Sequence, residues 1–239
     1  RRLVVGLTMF GLGLAKKVAL ADNIAPMANS VFDGVAAGHQ VSMVSAWLGS
    51  VCYALQLYFD FSGYSDMAIG LGLMFGLKLP LNFDSPFKSS NISDFWRRWH
   101  MTMTRFFTSY IYSSVAMSGR RRTAQLDPEA VPGWPSYLGW REFSNVRLPQ
   151  PVAWALTMVT VVCGLVMFRS ADVPTALTMF SAMWGLSTAM TGEFVNINAG
   201  NALSVIILLG AITQLLPNTQ QILHRDWPTI DVKPDTAAL

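Results

Sequence analysis

Charged side chains are scarce in this chain. Asp, Glu, Lys and Arg make up 13% of its 239 residues, whereas 52% are hydrophobic. Since a soluble domain carries about 25% charged residues, the composition excludes an ordinary soluble protein and predicts several membrane helices. The net charge of +3 is small, and the basic residues stand in short clusters beside apolar runs. That arrangement indicates a membrane topology signal and argues against a nucleic-acid surface.

Cysteine and histidine are also rare. Cys52 and Cys163 lie in apolar runs without a neighbouring histidine, so the sequence predicts no zinc site and no disulfide framework, and no metal is expected. Only three histidines are present: His39, His100 and His224. His39 and His224 stand in polar surroundings, which leaves His100 as the candidate for chemistry.

Apolar runs predict the positions of the membrane helices. Val41–Phe59 is long enough to cross about 30 Å of hydrocarbon at 1.5 Å per residue, and Pro151–Phe168 is a second predicted span. In Leu3–Leu20 the pair Lys16-Lys17 interrupts the apolar run, so a helix half sunk in the membrane interface is preferred there. Asp22–Gln40 is polar, with glycine and proline, and is predicted to be a loop.

The changes in composition divide the chain into three parts. Residues 1–118 form a predicted membrane core, residues 119–150 a polar extramembrane loop, and residues 151–239 further membrane helices with a polar tail. The chain begins with Arg1-Arg2 and shows no signal-peptide pattern, so we expect a fragment. The predicted fold class is an all-α, polytopic helical bundle.

The most unusual stretch is Asn82–Tyr112, which has Trp-Arg-Arg-Trp-His at its centre. If Ser93 or Asp94 caps a helix there, a 3.6-residue period places the aromatic residues on one face and His100 at its edge. One interpretation is an amphipathic helix at the membrane interface. The other makes His100 a catalytic or substrate-positioning residue, because an imidazole exchanges protons near neutral pH.

Three motifs resemble a known family. Leu57–Gly70, Asn82–Phe87 and Ser93–His100 closely resemble the membrane-bound O-acyltransferase family, in particular the bacterial branch that O-acetylates alginate and other polysaccharides. The resemblance implies a multi-pass enzyme of the inner, cytoplasmic membrane. It would move acetyl from acetyl-CoA towards an extracytoplasmic polysaccharide with no bound cofactor, often with a periplasmic SGNH-hydrolase-like partner.

The resemblance also implies roles for residues of the central motif. His100 matches the family histidine and would handle a proton or line the acyl channel. Trp96 and Trp99 would wall its pocket. Arg97 or Arg98 would contact either the phosphates of acetyl-CoA or lipid headgroups.

The carboxylates of the first motif allow three interpretations. Asp60 and Asp66, with Tyr64 and Ser65, would line the acyl-donor path, because charges at membrane depth are costly unless they are paired or face water. Alternatively, the two aspartates cap flanking helices. In a transporter or channel, which is a different functional class, they would form an ion path.

One departure from the family pattern limits the predicted activity. The family carries a second histidine, usually assigned as catalytic, in an apolar helix downstream of the first. Neither residues 119–150 nor Pro151–Phe168 contain a histidine. The sequence therefore predicts a missing internal segment, and a catalytically impaired relic or docking protein is the alternative to an active O-acetyltransferase.

Overall fold

The computed structural model describes residues 2–112, 148–186, 195 and 197–223. Within these ranges the fold is helical, which confirms the all-α prediction. The helices are α1 (Arg2–Ala15), α2 (Asp22–Ala36), α3 (Met43–Met74), α4 (Ile92–Arg98), α5 (Met101–Phe106), α6 (Gln150–Arg169), α7 (Val173–Met183), α8 (Ala199–Leu215) and α9 (Thr219–Leu223). π-Helical turns span Lys16–Ala21 and Phe107–Tyr112, and a 3-10 turn spans Pro86–Lys88.

Parts of the predicted domain division lie outside the described residues. These are most of the predicted loop at 119–150 and the tail from His224 onward.

Helix α3 is the centre of the bundle, and α1, α2, α6, α7 and α8 all pack against it. Its first turn is capped by Ser42, whose side chain accepts a hydrogen bond from the Ser45 backbone. It ends at Met74 with Phe75 as its C-cap, and the next residue, Gly76, has φ +78°, a left-handed conformation that glycine adopts without strain. Asp60 and Asp66 both lie inside this continuous helix, so the interpretation that they cap two flanking helices is wrong.

Two described helical stretches are long and apolar enough to cross a membrane, Arg2–Ala36 and Gln150–Arg169. The second agrees with the predicted span Pro151–Phe168. The first contains Leu3–Leu20, for which an interfacial position was preferred, yet its helix continues through the π-helical turn to Ala36. Most of Val41–Phe59, which is predicted to span the membrane, lies in the central helix α3, where many of its side chains are buried by protein.

The predicted loop at Asp22–Gln40 is wrong, because residues 22–36 form α2. Its buried residues recur at helical spacing: Ile24, Ala28, Val31, Phe32 and Val35. This apolar stripe packs on α3 and outweighs the polar residues and Pro26 that suggested a loop. Pro26 is the fifth residue of α2 and lies inside the helix, so the packing of this stripe offsets the backbone hydrogen bond that proline cannot donate.

Helices α1 and α3 approach each other through reciprocal glycine contacts. A Cβ added to Gly13 would lie 2.6 Å from the Gly63 carbonyl oxygen, and one added to Gly63 would lie 2.6 Å from the Gly13 carbonyl oxygen. Gly6 and Gly70 meet in the same way two turns along, at 2.7 and 2.6 Å. The two backbones are therefore in direct contact, which only glycine permits in helices packed this closely.

Two lysine–aspartate pairs join the same helices at the π-helical turn. Lys16 Nζ lies 2.6 Å from Asp66 Oδ2, and the Asp66 side chain is only 4% exposed. Thr219 Oγ1 donates to the same carboxylate oxygen at 2.7 Å. Lys17 pairs with Asp60, and both of these side chains are about 40% exposed. The first pair is thus desolvated and anchors α9 as well, whereas the second pair faces the surface of the bundle.

A pair of Gly→Ala variants in α1 tests the glycine contact. We expect Gly13→Ala to destabilise the fold by about 1–3 kcal/mol, because its Cβ meets a backbone carbonyl that cannot move aside. Gly11 has nothing within 4 Å of an added Cβ, so Gly11→Ala is the matched control, and it should stabilise the helix by about 0.5–1 kcal/mol. Thermal unfolding in detergent measures both variants. Equal melting temperatures would contradict the close contact.

Asparagine variants of the two aspartates compare the ion pairs. Asp66→Asn leaves Lys16 without its counter-charge and should cost about 3 kcal/mol of stability, as for other buried pairs that lose one partner. Asp60→Asn breaks the more exposed pair and should cost about 1 kcal/mol or less. Thermal unfolding in detergent compares the two stability losses. A larger loss of stability for Asp60→Asn than for Asp66→Asn would contradict the assignment of Asp66 to the buried pair.

Candidate active site

The central motif does not form one helix. Helix α4 begins with an Asn91 side-chain cap, in which Oδ1 accepts from the Asp94 backbone at 2.7 Å, and it ends at Arg98. Trp99 is extended, and His100 has φ 44° and ψ 57°, before α5 starts at Met101. The prediction of a continuous helix, capped at Ser93 or Asp94, is therefore wrong.

Tertiary hydrogen bonds cause the break. Phe83 and Trp99 form an isolated antiparallel bridge. Beside it, the Asp84 amide donates to the Arg98 carbonyl and the Met101 amide donates to the Asn82 carbonyl, each at 3.0 Å. These bonds take backbone groups that a continuous helix would use internally. They leave His100 in the left-handed region, which costs a non-glycine residue about 1–2 kcal/mol.

The His100 side chain is half-buried at this turn. Its ring contacts Phe61 of α3 edge to face, with the ring centroids 4.8 Å apart. Desolvation lowers the pKa of the imidazole below its ordinary value, which favours the neutral form at pH 7. No side chain among the described residues hydrogen-bonds the imidazole, so both ring nitrogens keep their capacity to exchange protons or bind a substrate.

The two tryptophans of the motif occupy different environments. Trp99 is buried, stacks on Phe95 at 5.6 Å and meets Phe83 edge to face at 5.1 Å. Trp96 is 45% exposed. The aromatic contact to the imidazole comes from Phe61, which was not singled out in the sequence. Its position within the first motif, directly after Asp60, was the only available signal.

The two arginines also differ. Arg98 Nε donates to Asp94 Oδ2 at 3.0 Å, and its Nη1 lies 3.9 Å from Asp84 Oδ2. Asn218 holds the other Asp84 oxygen at 3.0 Å. Arg97 is exposed and has no carboxylate within ion-pair distance in the part of the chain that the structure describes. Arg98 is therefore engaged in the fold, and Arg97 is the arginine that is open to a ligand.

The candidates of the first motif lie along α3. Asp66 and Ser65 are buried, whereas Tyr64 is 63% exposed. Asp60 and Asp66 are held by lysines of the first π-helical turn. The pairing of Lys16 and Lys17 with these aspartates and the contact of Thr219 are not predicted from the sequence. The sequence signal for this pairing is that two lysines and two aspartates stand in separate apolar segments, because opposite charges at membrane depth tend to pair with each other.

No group of three or more His, Cys, Asp or Glu side chains that could hold a metal ion comes together in the described ranges.

The known proteins that match most of this chain are named for O-acetylation. The chain is 37% identical to a peptidoglycan O-acetyltransferase of Helicobacter pylori over 216 residues, which cover 78% of this chain and 40% of the relative. It is 34% identical to a probable alginate O-acetylase AlgI of Pseudomonas aeruginosa, with 81% and 41% coverage. For a protein of the same name in Pseudomonas fluorescens the identity is 33%, with 98% and 51% coverage.

The chain spans about half the length of these curated relatives, or less. The model of one protein family matches residues 1–126, a range that contains the π-helical lysine turn, the whole of α3 and the His100 turn. The match covers more than half of the 239 residues. The chain belongs to the MBOAT family, the membrane-bound O-acyltransferases.

Proposed function

We propose that this chain belongs to a multi-pass enzyme of the inner membrane that transfers acetyl from acetyl-CoA to a hydroxyl of an extracytoplasmic polysaccharide. The observation that carries the proposal is the His100 turn. A half-buried imidazole with a lowered pKa stands at a strained backbone position inside the region that matches the family. The printed names of the relatives, alginate O-acetylase and peptidoglycan O-acetyltransferase, support a polysaccharide acceptor.

The proposed chemistry is acyl transfer from a thioester. Neutral His100 accepts the proton of the attacking hydroxyl while that oxygen bonds to the thioester carbonyl carbon. The tetrahedral intermediate then expels the CoA sulfur, which takes up a proton and leaves as the thiol. A base of this kind contributes about 10²- to 10⁴-fold to the rate, and the low pKa keeps the imidazole ready to accept a proton at neutral pH.

We assign recognition of the acyl donor, acetyl-CoA, to the exposed residues of the Trp-Arg-Arg-Trp-His motif. Of the two motif arginines, Arg97 is the one without an ion-pair partner among the described residues, so we assign it to the phosphates of acetyl-CoA. We also assign exposed Trp96 and Tyr64 to the border of the acyl path, whereas Trp99 and Ser65 are buried and are assigned to its support. Because lysines neutralise Asp60 and Asp66, the pairing argues against an ion path in a transporter.

A second candidate function is a catalytically impaired member that docks a periplasmic SGNH-hydrolase-like partner. Two observations favour it. His39, the other histidine of the described residues, is exposed and lies on the loop between α2 and α3. The match to the P. fluorescens relative extends over 259 residues, more than the 239 of this chain. That relative therefore has residues within the matched region that lack a counterpart here, as expected for a missing internal segment with the second histidine.

Replacement of His100 tests the enzyme directly. We expect His100→Ala to lower acetyl transfer from radiolabelled acetyl-CoA in membranes by about 10²-fold or more, because the general base is lost. His39→Ala is the matched control and should keep the wild-type rate. In the wild type, kcat/KM should fall as the pH drops through the folded-state pKa, which lies below about 6.5. A wild-type chain that binds the partner without any transfer would favour the docking function.

The arginine pair gives a separate test of donor binding. Arg97→Ala should raise KM for acetyl-CoA about tenfold, which corresponds to one charge-assisted hydrogen bond. It should leave KM unchanged for acetyl-pantetheine, a donor without the nucleotide phosphates. Arg98→Ala should instead lower the melting temperature, because Asp84 and Asp94 lose the cation that they share. Equal KM values for Arg97→Ala and wild type with both donors would assign Arg97 to lipid headgroups.

A further inference from the structure

Asn82 replaces the missing side-chain cap of α5. His100 occupies the N-cap position of this helix but makes no side-chain cap hydrogen bond. Asn82 Oδ1 accepts hydrogen bonds from the Thr102 backbone amide at 3.3 Å and from Thr102 Oγ1 at 2.6 Å. The Asn82 carbonyl also accepts from the Met101 amide at 3.0 Å. One residue, far away in sequence, therefore satisfies the first two backbone donors of the helix.

These bonds hold the backbone on the C-terminal side of His100. On the N-terminal side, the Arg98 carbonyl accepts from the Asp84 amide at 3.0 Å. A left-handed non-glycine residue persists only where its surroundings over-determine it, and the segment 82–84 supplies contacts on both sides. Among the described residues, the imidazole makes an aromatic contact with Phe61 and no side-chain hydrogen bond, so its direction is set by the backbone and not by a hydrogen bond of its own.

We propose that Asn82 is the positioning residue for His100, because it fixes the start of α5 and with it the left-handed turn that directs the imidazole. Asn82 touches neither the imidazole nor a substrate in this scheme and acts through Met101 and Thr102. The kinetic part of the proposal rests on the proposed acetyl transfer. The structural part, the environment of the imidazole, does not.

The test uses Asn82→Ala and Asn82→Asp in the full chain, in membranes. Aspartate keeps an oxygen that can accept both Thr102 hydrogen bonds, so it is the rescue variant. Thr102→Val removes the shorter of the two bonds from the opposite side. Asn198→Ala is the matched control, since Asn198 caps α8 by accepting from the Asn201 amide at 3.0 Å.

Two readouts separate positioning from folding. The first is the rate of His100 carbethoxylation by diethyl pyrocarbonate, measured by mass spectrometry relative to exposed His39 in the same molecule. Asn82→Ala should raise this ratio about threefold or more as the ring leaves Phe61, and Asn82→Asp and Asn198→Ala should keep the wild-type ratio. The second is transfer kinetics. Asn82→Ala should lower kcat about tenfold or more, as expected for a misplaced catalytic group, with KM for acetyl-CoA within about twofold of wild type.

The outcomes distinguish this proposal from the proposed function. An unchanged carbethoxylation ratio in Asn82→Ala overturns the positioning role, whatever the kinetics. Equal losses in Asn82→Ala and Asn82→Asp, with KM rising as kcat falls, would indicate a purely structural residue and also overturn it. If the wild type transfers no acetyl but the ratio still rises in Asn82→Ala and returns in Asn82→Asp, the positioning role stands and the proposed function fails.

Discussion

The contact between α1 and α3 is the constraint on which the rest of the fold depends. Two reciprocal glycine pairs bring the backbones together, and Lys16 reaches Asp66 across the interface. Thr219 donates to the same carboxylate, so one buried aspartate links the π-helical turn after α1, the central helix and the short helix α9. A charge buried this deeply is tolerated only when it is paired and hydrogen-bonded, which makes the three partners interdependent.

The candidate site is built on this framework by way of α3. Phe61, on the central helix, supplies the ring against which His100 rests. The segment 82–84, which follows the end of α3, supplies the backbone bonds that break the motif helix. Buried Phe83 joins the two, because its ring contacts both Phe61 of α3 and Trp99 of the motif. The imidazole is therefore held at a junction between a rigid helix and a hydrogen-bonded turn, the kind of support that a proton-transferring group needs.

The local pattern of apolar and polar residues predicted some helices correctly and was misleading for other segments. The apolar run at Pro151–Phe168 corresponds closely to α6, because a continuous hydrophobic segment has few alternatives to a helix. The polar residues of Asp22–Gln40 concealed a helical stripe, since burial of only one face is enough to fix α2 against α3. The heptapeptide Asp94–His100 has a helical period, yet bonds from residues 82–84 outweigh it, and no window of local sequence contains them.

The sequence by itself determined the class of protein. Its low charge content, its apolar runs and its three long motifs are properties of residue order alone, and they led to the helical membrane family and to His100. Only the tertiary structure decided which charges are neutralised and which side chains are free, because these properties depend on distances between residues far apart in the chain. In the folded chain the aspartates form ion pairs with Lys16 and Lys17, and Arg98 forms ion pairs while Arg97 is exposed. Asn82 is hydrogen-bonded to the turn that carries His100.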